Sequence, residues 1–102
     1  MGYPDSGLVA EPDPRQRAAE EAFRAGLRAG QARRDVQVAQ RSAAASMDRS
    51  ADSHERTAIA YERAADRGGP HHEEYRERAI RHRGFAHEDR EMARRLRDDS
   101  RY

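Results

Sequence analysis

Two histidines, His54 and His82, are the residues of this 102-residue chain with the most chemistry to offer. They lie in segments whose spacing sets them face to face. A paired imidazole layer suits two tasks. Neutral imidazole binds Zn, Cu or Fe, and imidazole gains its proton within the physiological pH range, so the layer is either a metal site or a pH switch. A dimer would bring four such rings together. The simpler alternative is that both are amphipathic seam residues bonded to a neighbouring tyrosine or to water. A carboxylate-bridged di-iron bundle needs Glu-x-x-His pairs, but Ala51 and Ala79 stand three residues before His54 and His82.

Other titratable groups carry weaker signals. His87 and Glu91 are four apart, close enough on a helix to share a surface ion or to form an ordinary pair. His71 and His72 fall in a turn. Asp89 is the one carboxylate on an otherwise apolar line, and Arg90, Arg49 or a partner chain's arginine are its candidate counter-charges. Tyr61 and Tyr75 read as core residues whose hydroxyls reach water. No nucleophile stands with its base, and there is no Gly-rich phosphate loop or Rossmann turn. Long exposed helices offer no water-excluding pocket. The expectation is a non-enzyme with no catalytic residue and no cofactor, leaving His54 and His82 as the only metal candidates.

The elements that position these residues follow from alternating steps of three and four, the signature of a coiled-coil seam. Back from Gly68-Gly69-Pro70, the steps land on Ala65, Tyr61, Ala58, His54, Ala51, Met47 and Ala44. Forward from it they land on Tyr75, Ala79, His82, Ala86, Asp89, Ala93 and Leu96. Folding at the glycines predicts an antiparallel helical hairpin with an alanine seam. Its expected pairs are Tyr61 with Tyr75, Ala58 with Ala79, His54 with His82, Ala51 with Ala86 and Ala44 with Ala93. A weak repeat offset by 21 residues (His54, Ala58, Ile59, Tyr61, Ala65 against Tyr75, Ala79, Ile80, His82, Ala86) follows the same packing rule.

Residues 1–13, with two of the four prolines, read as a disordered tail. Met1-Gly2 followed by Ser6 fits a loose myristoylation pattern that we take as coincidence. Asp13-Pro14 opens a helix expected over about 14–67, with Asp13 as cap and Pro14 at the first position. Ala22, Gly26 and Gly30 recur every four residues. Glycine in an exposed helix costs about 1 kcal/mol against alanine, so the stripe suggests a second helix approaching closely. The serine-rich joint over 42–53 weakens helix propensity, yet holds no glycine or proline; we expect a continuing helix, bent there if anywhere. The turn covers 68–70, the second helix about 70–97, and 98–102 should fray.

Composition narrows the class. Only 35% of the chain is hydrophobic and 38% is charged, poor material for a globular core and ordinary for solvated helices. All 20 basic residues are arginine, and cysteine, lysine, asparagine and tryptophan are absent, which reads as the codon bias of a GC-rich bacterial genome. The 20 basic and 19 acidic residues leave a net charge of +1 and intermix at short range, which argues against nucleic acid as a partner. No apolar run reaches membrane-spanning length and no signal peptide is visible, so membranes are not expected as partners and the cytoplasm is the expected compartment.

An alanine layer stabilises far less than the roughly 1.5–3 kcal/mol of a buried leucine, so two such helices alone are marginal. The last helix, roughly 28 residues and so about 42 Å long, covers the first only back to around Gln40. The segment from Pro14 to Val38 then needs a partner, either by fold-back into a bundle or by dimerisation. A homo-oligomer or a helical protein partner is expected.

The run Ser53-His54-Glu55-Arg56-Thr57-Ala58, followed by Tyr61-Glu62-Arg63-Ala64-Ala65, resembles the His-Glu-Arg-x-Ala runs of small actinobacterial Ala/Arg/His-rich helical proteins. Similar runs precede signalling domains in some larger actinobacterial proteins. The resemblance covers about half the chain; it implies helical association and gives no activity. The functional expectation is a self-associating helical interaction or scaffold module, with a regulatory role in view. The alternative is a metal- or pH-responsive bundle built on the His54/His82 layer.

Overall fold

The computed structural model describes residues 13–101. The expected tail over 1–12, with its myristoylation-like pattern, and Tyr102 lie outside the described residues. The fold is all-α with two helices, α1 over Pro14–Asp66 and α2 over His72–Asp99. The chain forms two units divided between Arg34 and Asp35.

In the first unit, Asp13 caps α1: its Oδ1 accepts the Gln16 amide at 2.9 Å, satisfying one of the free donors of the first turn. No side chain over 13–34 is buried. Nothing in the described chain lies within 4 Å of a Cβ built on Gly26, and a Cβ on Gly30 would meet only the side chains of Arg34 and Arg33. The helix that the Ala22/Gly26/Gly30 stripe suggests is therefore not supplied by the described residues.

The second unit is an antiparallel helical hairpin. α1 stays helical through Ser42–Ser53, because Ala44 and Ala51, both fully buried, anchor that stretch in the seam. Packing of one face outweighs the weak local propensity of the serines. Gly68 and Gly69 turn the chain at φ of 78° and 97°, a region costly for any residue with a Cβ. The Gly68 amide bonds to Ala65 O at 2.9 Å and His72 N to Gly69 O at 3.3 Å. That second bond closes the turn across Pro70, so α2 begins at His72, two residues later than the proline suggests. Glu73 and Glu74 occupy its first turn, where the helix dipole favours negative charge. At the far end α2 runs to Asp99, beyond the expected stop at Arg97. Ser100 is buried, and its amide bonds to Leu96 O at 3.1 Å while its Oγ donates to Arg97 O at 2.7 Å.

The core consists of alanine. Ala44, Ala51, Ala58 and Ala65 of α1 and Ala79, Ala86 and Ala93 of α2 are the buried apolar residues among those described, and no large side chain is fully buried. Met47, His54, Tyr61, Tyr75, His82, Asp89 and Leu96 are half-buried between them. Two pairs expected by counting from the turn, Tyr61 with Tyr75 and His54 with His82, are in ring contact, and each α1 ring also reaches one step further along α2. The Tyr61 ring is 5.9 Å from Tyr75 and 5.8 Å from His82, so it lies midway between them, level with Ala79. His54 likewise reaches His82 on one side and Asp89 on the other, which sets it level with Ala86. His54 and Tyr61 therefore each lie between two large residues of α2, at the level of the alanine that separates them. Large against small fills every layer evenly, whereas ring-on-ring layers alternating with alanine-on-alanine layers would leave voids.

Replacing a buried alanine should wedge this seam open. Ala58→Leu is expected to cost about 1–3 kcal/mol by overpacking, and Ala39→Leu, at an exposed position, to stay within about 0.5 kcal/mol of the parent. Urea titration followed by circular dichroism measures both.

Candidate functional site

The alanine seam presses the two histidines together. With methyl groups as the only spacers, His54 Nδ1 and His82 Nδ1 stand 2.8 Å apart and the ring centroids 5.1 Å apart, tilted by 34°. At that separation one nitrogen must carry a proton and the other a bare lone pair. The surroundings choose which. His54 Nε2 lies 3.9 Å from Asp89 Oδ2, a buried carboxylate oxygen with no hydrogen-bond partner in the described chain. A proton on His54 Nε2 faces that negative charge, which leaves His54 Nδ1 bare to accept from His82 Nδ1–H, and His82 Nε2 bare in turn.

Aromatic rings wall the pair. Phe85 lies 5.2 Å from His54 and edge-on to His82 at 5.7 Å. Tyr61 stacks on His82 at an interplanar angle of 23°, and the Arg78 guanidinium sits 5.7 Å from the Tyr61 ring centroid, within cation–π range. Phe85 is a member of this cluster that seam counting passes over. The available signal was its spacing, three residues after His82 and so on the same face of α2.

Asp89 meets neither Arg90 nor Arg49. Arg90 turns across the helix pair to Glu55 at 2.8 Å and Asp52 at 3.3 Å, and Arg49 bonds to Ser46 at 3.0 Å. The reason is angular: Asp89 points into the seam, whereas Arg90, one residue and about 100° further round, points along its edge. As placed, the two Nδ1 atoms touch and leave no room for an ion, since a tetrahedral zinc would hold them about 3.3 Å apart. Among the described residues no group of three or more His, Asp or Glu side chains comes together to hold a metal. His87 is exposed at 3.9 Å from Glu91, which also bonds to Arg94. His71 and His72 lie at the turn, beside Glu74 and Glu73.

The two edges of the seam differ. Along one, Asp48, Glu55 and Glu62 recur every seven residues on α1 and bind Arg97, Arg90 and Arg83 on α2. The Arg83–Glu62 bond measures 2.6 Å. This ionic edge was legible as two heptad columns of opposite sign. Its hydrogen bond to Arg90, then the charge of Arg90, holds the Glu55 carboxyl below the ordinary glutamate value, and the same contact raises Arg90. Along the other edge Ala43, Ser50, Thr57 and Ala64 of α1 adjoin Arg78, Phe85 and Met92 of α2. An open groove of about 500 Å³ lies there, lined by Ser53, Arg56, Thr57, Ala60, Tyr61, Ala64 and Tyr75.

No helix among the described residues is long and apolar enough to cross a membrane. Comparison with protein-family models, with curated proteins and with solved structures finds no match for this chain.

The ionic edge carries a pH signature. A carboxyl held below its ordinary value contributes stability that is present above that value and lost as pH falls through the lowered one. Between pH 5 and 3 the melting temperature of the parent is expected to drop more steeply than that of Glu55→Gln. Parallel profiles would remove Glu55 from the acid transition.

Proposed function

We propose that this chain is a non-enzymatic helical module that works by self-association, as an interaction or scaffold element. One observation carries the reading. The helical stretch over 13–34 buries no side chain, yet presents Phe23 at 69% and Leu27 at 56% exposure, four residues apart on one face. Helices of this length are marginal in water unless an apolar face packs against something. A second copy, or another helical protein, would cover this face. Sedimentation equilibrium at tens of micromolar is expected to give a mass above that of one chain, and Phe23→Glu with Leu27→Glu to weaken the association at least tenfold. A helical monomer at that concentration would overturn the proposal.

A second reading, a proton-responsive bundle, is favoured by the contact between His54 and His82 together with the unpartnered Asp89 oxygen. Were both rings charged, the 2.8 Å contact would set two N–H donors and two positive charges against each other. Asp89 from α2 and Tyr61 from α1 face the pair, and Asp89 is the charge able to draw a protonated His54 out of the contact. The parent is expected to melt progressively earlier between pH 7 and 5, and His82→Gln, which keeps a donor but does not titrate, to give a flatter profile. Identical profiles for the two proteins in that window would eliminate this reading.

A further inference from the structure

We propose that a second copy of this chain docks on the edge of the hairpin that carries no inter-helix salt bridge, as an isologous pair. In it the α1 column Arg49, Arg56, Arg63 lies against the partner's α2, along the acidic column Glu77, Glu91, Asp98. This rests on the self-association argued above and adds to the Phe23/Leu27 face a second contact surface, on the hairpin.

The columns come from the heptad. On the back of α1, opposite the seam, every seventh residue from 49 to 63 is arginine. On the back of α2 the corresponding column reads Glu77, Gly84, Glu91, Asp98. The signs are reversed relative to the ionic edge, where α1 is acidic and α2 basic. That edge is already closed within the hairpin. The backs are not: Arg56, Arg63 and Glu77 form no ion pair within the described chain, Arg49 bonds only to the neutral Ser46, and Glu91 is shared with Arg94 on its own helix. Each back column borders the open edge as the flanking positions of a coiled coil border its seam, so a helix laid on that edge meets it.

Charge then selects the arrangement. Setting α1 against α1 of the partner would place arginine on arginine. Setting α1 against the partner's α2 places arginine on carboxylate, and a two-fold axis repeats the match on the other side. The axial fit follows from the register of the seam. Tyr61 is level with Ala79 and His54 with Ala86, so Arg63 is level with Glu77, Arg56 with Gly84 and Arg49 with Glu91. A two-fold axis parallel to the helices keeps these levels, and Arg63 comes beside the partner's Glu77, Arg49 beside the partner's Glu91. Gly84 has nothing within 4 Å of where its Cβ would be, leaving room for Arg56 of the other copy.

Shape agrees with charge. From Ala43 to Ala64 the two α1 columns on this edge (Ala43, Ser50, Thr57, Ala64 and Ser46, Ser53, Ala60) carry no charge, and they would receive the mixed α2 surface of Arg78, Arg81, Glu88 and Arg95 around Phe85 and Met92. Phe85 and Met92 stand 42% and 43% exposed beside them. By the same levels the partner's Phe85 comes between Ser53 and Thr57, and the partner's Met92 between Ser46 and Ser50. Large apolar side chains thus meet small ones, the rule that already governs the hairpin seam.

The test is a charge exchange in the full chain. Arg49→Glu with Arg63→Glu makes both columns acidic; Glu77→Arg with Glu91→Arg makes both basic. Each protein alone is expected to self-associate at least tenfold more weakly than the parent in sedimentation. An equimolar mixture is expected to recover a pair of one acidic and one basic chain with close to parental affinity. Parental self-association by both charge variants would overturn this surface while leaving self-association standing, and would point to another occupant of the edge. A monomeric parent removes the parent reading itself. Variants that dissociate and do not recombine overturn the arrangement. Should either variant lose its helical circular dichroism, Arg63→Cys with Glu77→Cys decides in its place. The chain has no other cysteine, these two positions lie on opposite outer faces of one hairpin, and mild oxidation is expected to yield a covalent two-chain species. Its absence counts against the proposal.

Discussion

An alanine at every seventh position of both helices is the constraint from which the rest of this hairpin follows. Methyl groups let two backbones approach closely along their whole contact, and His54 and Tyr61 then lie between two large residues of α2, level with the alanine that separates them. That interleaving puts Tyr61 between Tyr75 and His82 and drives His54 and His82 into direct contact at 2.8 Å. A leucine seam of ordinary width would hold the same imidazoles apart. The imidazole contact is thus a product of the alanines as much as of the histidines.

The same choice limits stability. Buried alanines remove little apolar area from water, and no large side chain is fully buried to make up the difference. Specificity comes from polar contacts instead. The ionic edge matches α1 carboxylates to α2 arginines at heptad spacing, so a slip of the register would misalign three sets of charges. Inside the seam, His54, His82 and Asp89 form a polar layer of the kind that costs stability and fixes register in coiled coils. Asp89 sharpens this, since its buried oxygen lacks a partner unless His54 leans towards it.

Function has to be sought in what this economy leaves open. A hairpin with so small a core presents most of its side chains to its surroundings, and they are not arranged at random. One edge is neutralised by bridges within the hairpin, the other sets small uncharged residues of α1 beside Arg78, Phe85 and Met92 of α2, and the two backs carry opposite signs. Phe23 and Leu27, outside the hairpin unit, are apolar and exposed. The proposed role in self-association rests on those surfaces that nothing among the described residues covers.

The all-α fold, the hairpin turn and the identity of the seam could be argued from residue order alone. The reason is that heptad periodicity, a glycine pair with φ above zero and an Asp-Pro cap are local signals whose meaning depends on near neighbours. The columns of the ionic edge were equally present in the sequence, as Asp48, Glu55 and Glu62 against Arg83, Arg90 and Arg97. What only the tertiary structure decided was the half-heptad offset between the arms. Counting outward from the turn pairs like with like, ring on ring, whereas packing favours large on small. That offset determines that His54 is shared between His82 and Asp89, that Phe85 joins the cluster, and that Arg90 passes Asp89 to reach Glu55. Contacts between two helices depend on how volumes fill the space between them, and no spacing within either helix contains that information.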